Sequence, residues 1–122
     1  MSDEIKASVN VRVVNGAFAD QFTFSGTGID QSAIGRGGYV QSIATTETVI
    51  DFGDVVTNGY MILRNLDTAN YVTYGPENAG AMVVTGKLKP GEFAIFRVAP
   101  TVVMRAKAET LAVLLDVRLY ED

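Results

Sequence analysis

At 122 residues, with 48% hydrophobic and 20% charged side chains, the chain can bury a core of its own and does not have the composition of a disordered polymer. A net charge of −4 works against the basic stripe that phosphate contacts need, so no nucleic-acid partner is expected. The absence of both Cys and His removes thiol nucleophiles, disulfides, the commonest general base and the commonest transition-metal ligand. Neither a metal nor another cofactor is therefore expected.

The opening Met1-Ser2-Asp3-Glu4 is acidic and lacks the apolar core of a secretory leader. No apolar stretch approaches the roughly 20 residues of a membrane span, so cytoplasmic synthesis and no membrane partner are expected. Residues 5–14 read as a strand, with Ile5, Ala7, Val9, Val11 and Val13 alternating with Lys6, Ser8, Asn10 and Arg12. That period predicts one buried and one wet face. Asn15-Gly16 is the dipeptide favoured in a type I′ hairpin turn. Folding about it pairs Val13 with Phe18, Val9 with Phe22 and Ala7 with Phe24. It also sets Asp20 against Val11 on the apolar face, which calls for a sheet margin or a bulge.

Residues 25–38 read as a glycine-rich loop with Gly26, Gly28, Gly35, Gly37 and Gly38, and loops of that length tend to carry function. Short strands are expected at 39–43 and 48–52, with Asn58-Gly59 as a turn into the central pair, 60–66 and 71–74. The polar turn between that pair holds Asp67, Thr68 and Asn70, residues whose side chains can bond the backbone two positions on. A second loop is expected at 75–80 and a strand at 81–88, in which Gly86 marks a bulge or a close backbone approach. Pro90-Gly91 makes a turn flanked by Lys89 and Glu92 as an opposite-charge pair. Strands at 92–99, 102–108 and 111–120 follow, the last with Leu111, Val113, Leu115, Val117 and Leu119 as an inward row. Helix-forming Ala and Leu within 102–119 offer a helical alternative, but β-branched Val102, Val103, Val113 and Val117 favour strands. The expectation is all-β: a single-domain antiparallel β-sandwich, jelly-roll-like, with eight or nine strands.

Chemistry-bearing motifs are sparse. Asp51-Phe52-Gly53 copies the magnesium tripeptide of kinases, but the chain is too short for that fold and lacks its companion motifs. No phosphate-loop pattern occurs within 25–38. Asn65, Asp67 and Asn70, or Asp51 and Asp54, offer oxygen atoms without the dense acidic loop of a calcium site. No enzyme is expected. The candidate residues are those of an interface: Arg36 with its guanidinium in the glycine-rich segment, Tyr39 as an interface-type aromatic, and Phe18 and Asp20 on the hairpin.

From residue 41 onward the chain resembles small β-rich virion proteins of tailed bacteriophages. The resemblance is carried by Gln41-Ser42-Ile43, residues 48–54, Gly59-Tyr60, Arg64-Asn65-Leu66-Asp67, Asn70-Tyr71-Val72, Leu88-Lys89-Pro90-Gly91-Glu92 and the alternating 111–120. It covers about two-thirds of the chain and leaves the first 40 residues unmatched. It implies a structural protein without catalytic residues, a capsid decoration or cement protein contacting the major capsid protein or other virion proteins. It also implies a homo-oligomer, a trimer being favoured. A neck or tail component of the same virion and a free-standing carbohydrate-binding module are the alternatives.

Overall fold

A computed structural model describes residues 4–29, 31 and 35–122. Residues 1–3 of the acidic N-terminus, and 30 and 32–34 of the expected loop, lie outside the described residues. The described residues are all-β, in twelve strands and without a helix, so the helical alternative for 102–119 falls away. The chain divides into two compact units, Met1–Ser32 and Ala33–Asp122.

The first unit is a two-stranded antiparallel ribbon, β1 (Ile5–Asn15) and β2 (Phe18–Ile29). Its register differs from the expected one by two residues: Val13 pairs with Asp20, Val11 with Phe22 and Val9 with Phe24. The cause is the turn. Asn15 pairs with Phe18, so Gly16 and Ala17 occupy the central positions, with Gly16 at φ 59° and Ala17 outside the left-handed region. Glycine leading a two-residue turn is the type II′ signature, not the type I′ turn of an Asn-Gly centre. A bulge does occur, but away from Asp20: the register shifts between Ala7 and Val9, and Gly26 at φ 69° donates its amide to Ser8 Oγ at 3.3 Å.

The second unit is a sandwich-like pair of antiparallel sheets. Its strands are β3 (Arg36–Gly37), β4 (Val40–Ile43), β5 (Thr48–Val49), β6 (Asn58–Asn65), β7 (Val72–Asn78), β8 (Ala81–Met82), β9 (Gly86–Leu88), β10 (Phe93–Arg97), β11 (Met104–Ala108) and β12 (Val113–Glu121). Sheet I runs β10-β6-β12-β3 with β4 also on β12, and sheet II runs β5-β11-β7-β8 with β9 on β7. One core lies between them. Met61, Leu63, Val113, Leu115, Val117 and Leu119 come from sheet I, and Val72, Leu88, Met104, Ala106 and Ala108 from sheet II. Each of the Val, Leu and Met side chains among them contributes about 1.5–3 kcal/mol by leaving water. Leu111, expected to open the inward row, stands before the strand and is exposed.

Several joints explain the departures from the expected boundaries. Asn58 and Gly59 belong to β6 and not to a turn, with Asn58 Nδ2 donating to the Ala99 and Val102 carbonyls at 3.0 Å each. β7 continues to Asn78, so the expected loop 75–80 shrinks to Ala79-Gly80, both left-handed at φ 54° and 80°. The predicted 48–52 strand pairs only over Thr48–Val49. Gly86 marks a close approach, since a Cβ there would fall 2.3 Å from the Tyr74 ring. At the Pro90-Gly91 turn Glu92 Oε1 accepts the Lys89 backbone amide at 2.7 Å, so the flanking residues meet through the main chain.

The central turn is held by one buried polar side chain. Asn65 is fully buried; its Nδ2 donates to the Asn70 and Leu88 carbonyls at 2.9 and 3.1 Å, and its Oδ1 accepts the Asp67 amide at 2.9 Å. The β6–β7 corner is thereby tied to β9 with the side-chain oxygen and both donors in use.

Candidate functional site

The glycine-rich segment is less loop-like than its composition suggests. β2 extends through Ile29, and Arg36–Gly37 is a strand on β12, with Tyr120 opposite Arg36 and Leu119 opposite Gly37. Gly37 is buried, and a Cβ there would lie 1.9 Å from the Phe52 carbonyl oxygen. Glycine is what lets the backbone press in so closely and hold Arg36 outward.

Arg36 then joins a face. Along β12 the inward residues are Val113, Leu115, Val117 and Leu119, so Leu114, Asp116, Arg118 and Tyr120 point away from the core. The register sets Phe93, Arg64, Asp116 and Val40 in one row across sheet I, and Ile95, Ile62 and Arg118 in the next. Arg97 is opposite Tyr60, with its guanidinium 4.7 Å from the ring centroid. Four of the chain's six arginines, Arg36, Arg64, Arg97 and Arg118, thus share this outer face. Asp122 and Asp116 pair with Arg97 and Arg118 at 3.3 and 3.7 Å, whereas Arg36 and Arg64 form no ion pair among the described residues. Exposed Phe93, Ile95, Leu114 and Val40 surround them, and a groove of about 540 Å³ runs past Ile62, Arg64, Phe93 and Arg118. Arginine beside exposed aromatic and aliphatic side chains is the composition of protein interfaces. The sequence carries this pattern only once the register of β6, β10 and β12 is known.

The second exposed face is on the ribbon. Val9, Val11 and Val13 lie on one side with their partners Phe24, Phe22 and Asp20, and Phe18 follows near the turn. The side expected to be buried is open: Val11 is 47% exposed, Val13 40%, Phe18 61%, Phe22 58% and Phe24 39%. Phe22 and Phe24 meet edge to face at 5.5 Å. The opposite side carries Asn10, whose Oδ1 accepts from Gln21 Nε2 at 3.4 Å and from Thr23 Oγ1 at 3.2 Å.

The four residues singled out in the sequence belong to different units, Phe18 and Asp20 to the ribbon and Arg36 and Tyr39 to the two-sheet unit. Phe18 and Asp20 share the ribbon face, with an Asp20 carboxylate oxygen accepting the Gln21 amide at 2.9 Å. Arg36 belongs to the sheet I face. Tyr39 is exposed, but its hydroxyl donates to Asp51 Oδ2 at 3.0 Å. That bond, with the carboxylate beside it, raises the Tyr39 pKa above its ordinary value. The Gly53 amide and then the Tyr39 hydroxyl hold Asp51 below the ordinary carboxylate range. The kinase-like tripeptide is thus a turn, with Gly53 at φ 64° and its amide on Asp51 Oδ1 at 2.7 Å. An apolar cleft of about 580 Å³ between β10 and β7 contains the Tyr74–Phe96 stack, and its lining includes no carboxylate. Among the described residues no group of three or more His, Cys, Asp or Glu side chains is placed to hold a metal.

No protein-family model, curated protein or solved structure matches this chain.

Proposed function

We propose that the chain is a non-enzymatic structural protein of a tailed-phage virion, a capsid decoration or cement protein that docks on the head lattice through the outer face of sheet I. The observation that carries this reading is the gathering of Arg36, Arg64, Arg97 and Arg118 with exposed Phe93, Ile95 and Leu114 on that face. A decoration protein works by buried area repeated over many copies, not by a pocket.

The strand orders support a jelly roll as the scaffold. From β4 to β7 each successive strand crosses to the other sheet, β8 and β9 stay beside β7, and β10, β11 and β12 cross again. Repeated crossing between two sheets is in keeping with the jelly-roll scaffold of this reading, an architecture common in capsid proteins. The resemblance of residues 41–120 to small virion proteins points the same way.

The test is attachment to phage particles stripped of their auxiliary proteins, read by co-sedimentation. Arg64→Glu with Arg118→Glu is expected to weaken attachment at least tenfold while the folded spectrum is kept. Wild-type attachment by that variant overturns the docking face. Attachment to isolated tails and not to heads overturns the decoration role in favour of a tail component. Deleting 25–38 is the poorer experiment, because it removes the end of β2 and all of β3.

A further inference from the structure

The ribbon β1–β2 poses a separate problem. A two-stranded hairpin is marginal in water, and three or more strands or a second apolar layer are needed to hold one. This ribbon pairs only within itself among the described residues, yet it presents an apolar row interrupted at one position, Asp20 near the turn. Phenylalanines offer roughly 150–250 Å² each; at the exposures above, the three phenylalanines and the valines leave on the order of 500 Å² open per copy. Two such faces together bury on the order of 1,000 Å², the lower bound for a specific interface between proteins.

We infer that this face is covered by a second copy of the same ribbon. Its two strands are complementary in size: β1 contributes Val9, Val11 and Val13, while β2 contributes Phe24, Phe22 and, beyond Asp20, Phe18. A two-fold axis along the hairpin lays each copy's phenylalanine strand over the other's valine strand, so large side chains meet small ones. The hydrogen-bonded Asn10, Gln21 and Thr23 remain outside, in water. The product is a four-stranded, two-layer bundle with polar outer faces and an interior that is apolar except at its turn end, where Asp20 sits. This is a two-fold pair and not the trimer that the sequence resemblance implied.

The contact does not rest on the virion reading and is tested on the purified full chain alone. Sedimentation at about 100 µM is expected to give twice the chain mass of 13.1 kDa, and Phe22→Ser with Phe24→Ser to raise the dissociation constant at least 100-fold. Because the chain has no cysteine, Val11→Cys mixed with Phe22→Cys gives a clean geometric check. Under mild oxidation this mixture is expected to form the mixed disulfide efficiently. Val14→Cys, on the opposite side of the ribbon, is not expected to cross-link. A monomer at 100 µM, a trimer, or equal cross-linking through Val14 overturns the pairing. Each of those outcomes leaves particle attachment to be judged by its own assay, and a failure to attach leaves the pairing standing.

Discussion

The ribbon and the two-sheet unit begin from the same alternating pattern and end in opposite states. In β12 the odd residues Val113, Leu115, Val117 and Leu119 are sealed by sheet II. In β1 the odd residues Val11 and Val13, equally apolar, are open. Period-two alternation states that a face is to be covered and is silent about what covers it. In the two-sheet unit the cover is encoded within the same unit; in the ribbon, on the pairing inferred above, it comes from a second copy.

The sharpest way to break this comparison is to truncate matched positions. Leu63→Ala or Leu115→Ala should cost about 3 kcal/mol, because the fully buried site leaves both lost transfer energy and a cavity. Val11→Ala in the ribbon, measured at low protein concentration, should leave the thermal midpoint of the two-sheet unit nearly unmoved. A comparable drop from Val11→Ala would mean the ribbon's valines already share that unit's core. Asn65→Ala should cost about 2–3 kcal/mol, since it strips the buried Leu88 carbonyl, the half-buried Asn70 carbonyl and the Asp67 amide of a partner; chemical denaturation measures it. Ala79→Gly runs the other way. It relieves a left-handed alanine at φ 54°, and after the entropy of the more flexible unfolded chain it should stabilise by about 0.5 kcal/mol.

The smallest effect is electrostatic. The Ala69 and Asn70 amides hold the Asp67 pKa below its ordinary value of 3.8. A depressed folded pKa means the contribution is present above the unfolded value and is lost as pH falls through the folded one. Asp67→Asn should therefore flatten the acid limb of the stability curve of the two-sheet unit and leave neutral-pH association of the ribbon unchanged. An unaltered acid limb would remove Asp67 from the account.

Much of the scaffold was readable from the residues. The strand read at 5–14, which runs on to Asn15, the inward row read from Leu111, which holds from Val113 to Leu119, and the Pro90-Gly91 turn follow from period and turn chemistry. What was not readable has physical causes. Asn15-Gly16 permits two turn registers, and the structure takes the one with glycine first, moving every cross-strand partner by two. The glycines at 35–38 look like a flexible loop in composition, whereas Gly37 is there because β3 packs against Phe52. The arginine face was invisible because its members come from four strands far apart in sequence, brought together only by the sheet order.

Asp20 acquires a different meaning in this light. A ribbon whose edges pair with no other strand among the described residues, and which bears a row of valine and phenylalanine, is a template for unlimited stacking into fibres. A carboxylate set opposite Val13, inside that row, is the kind of gatekeeper that tolerates one closed pairing and penalises endless addition. The residue that looked like a flaw in the hairpin's pattern would then be what keeps a sticky arm soluble until it finds its mate.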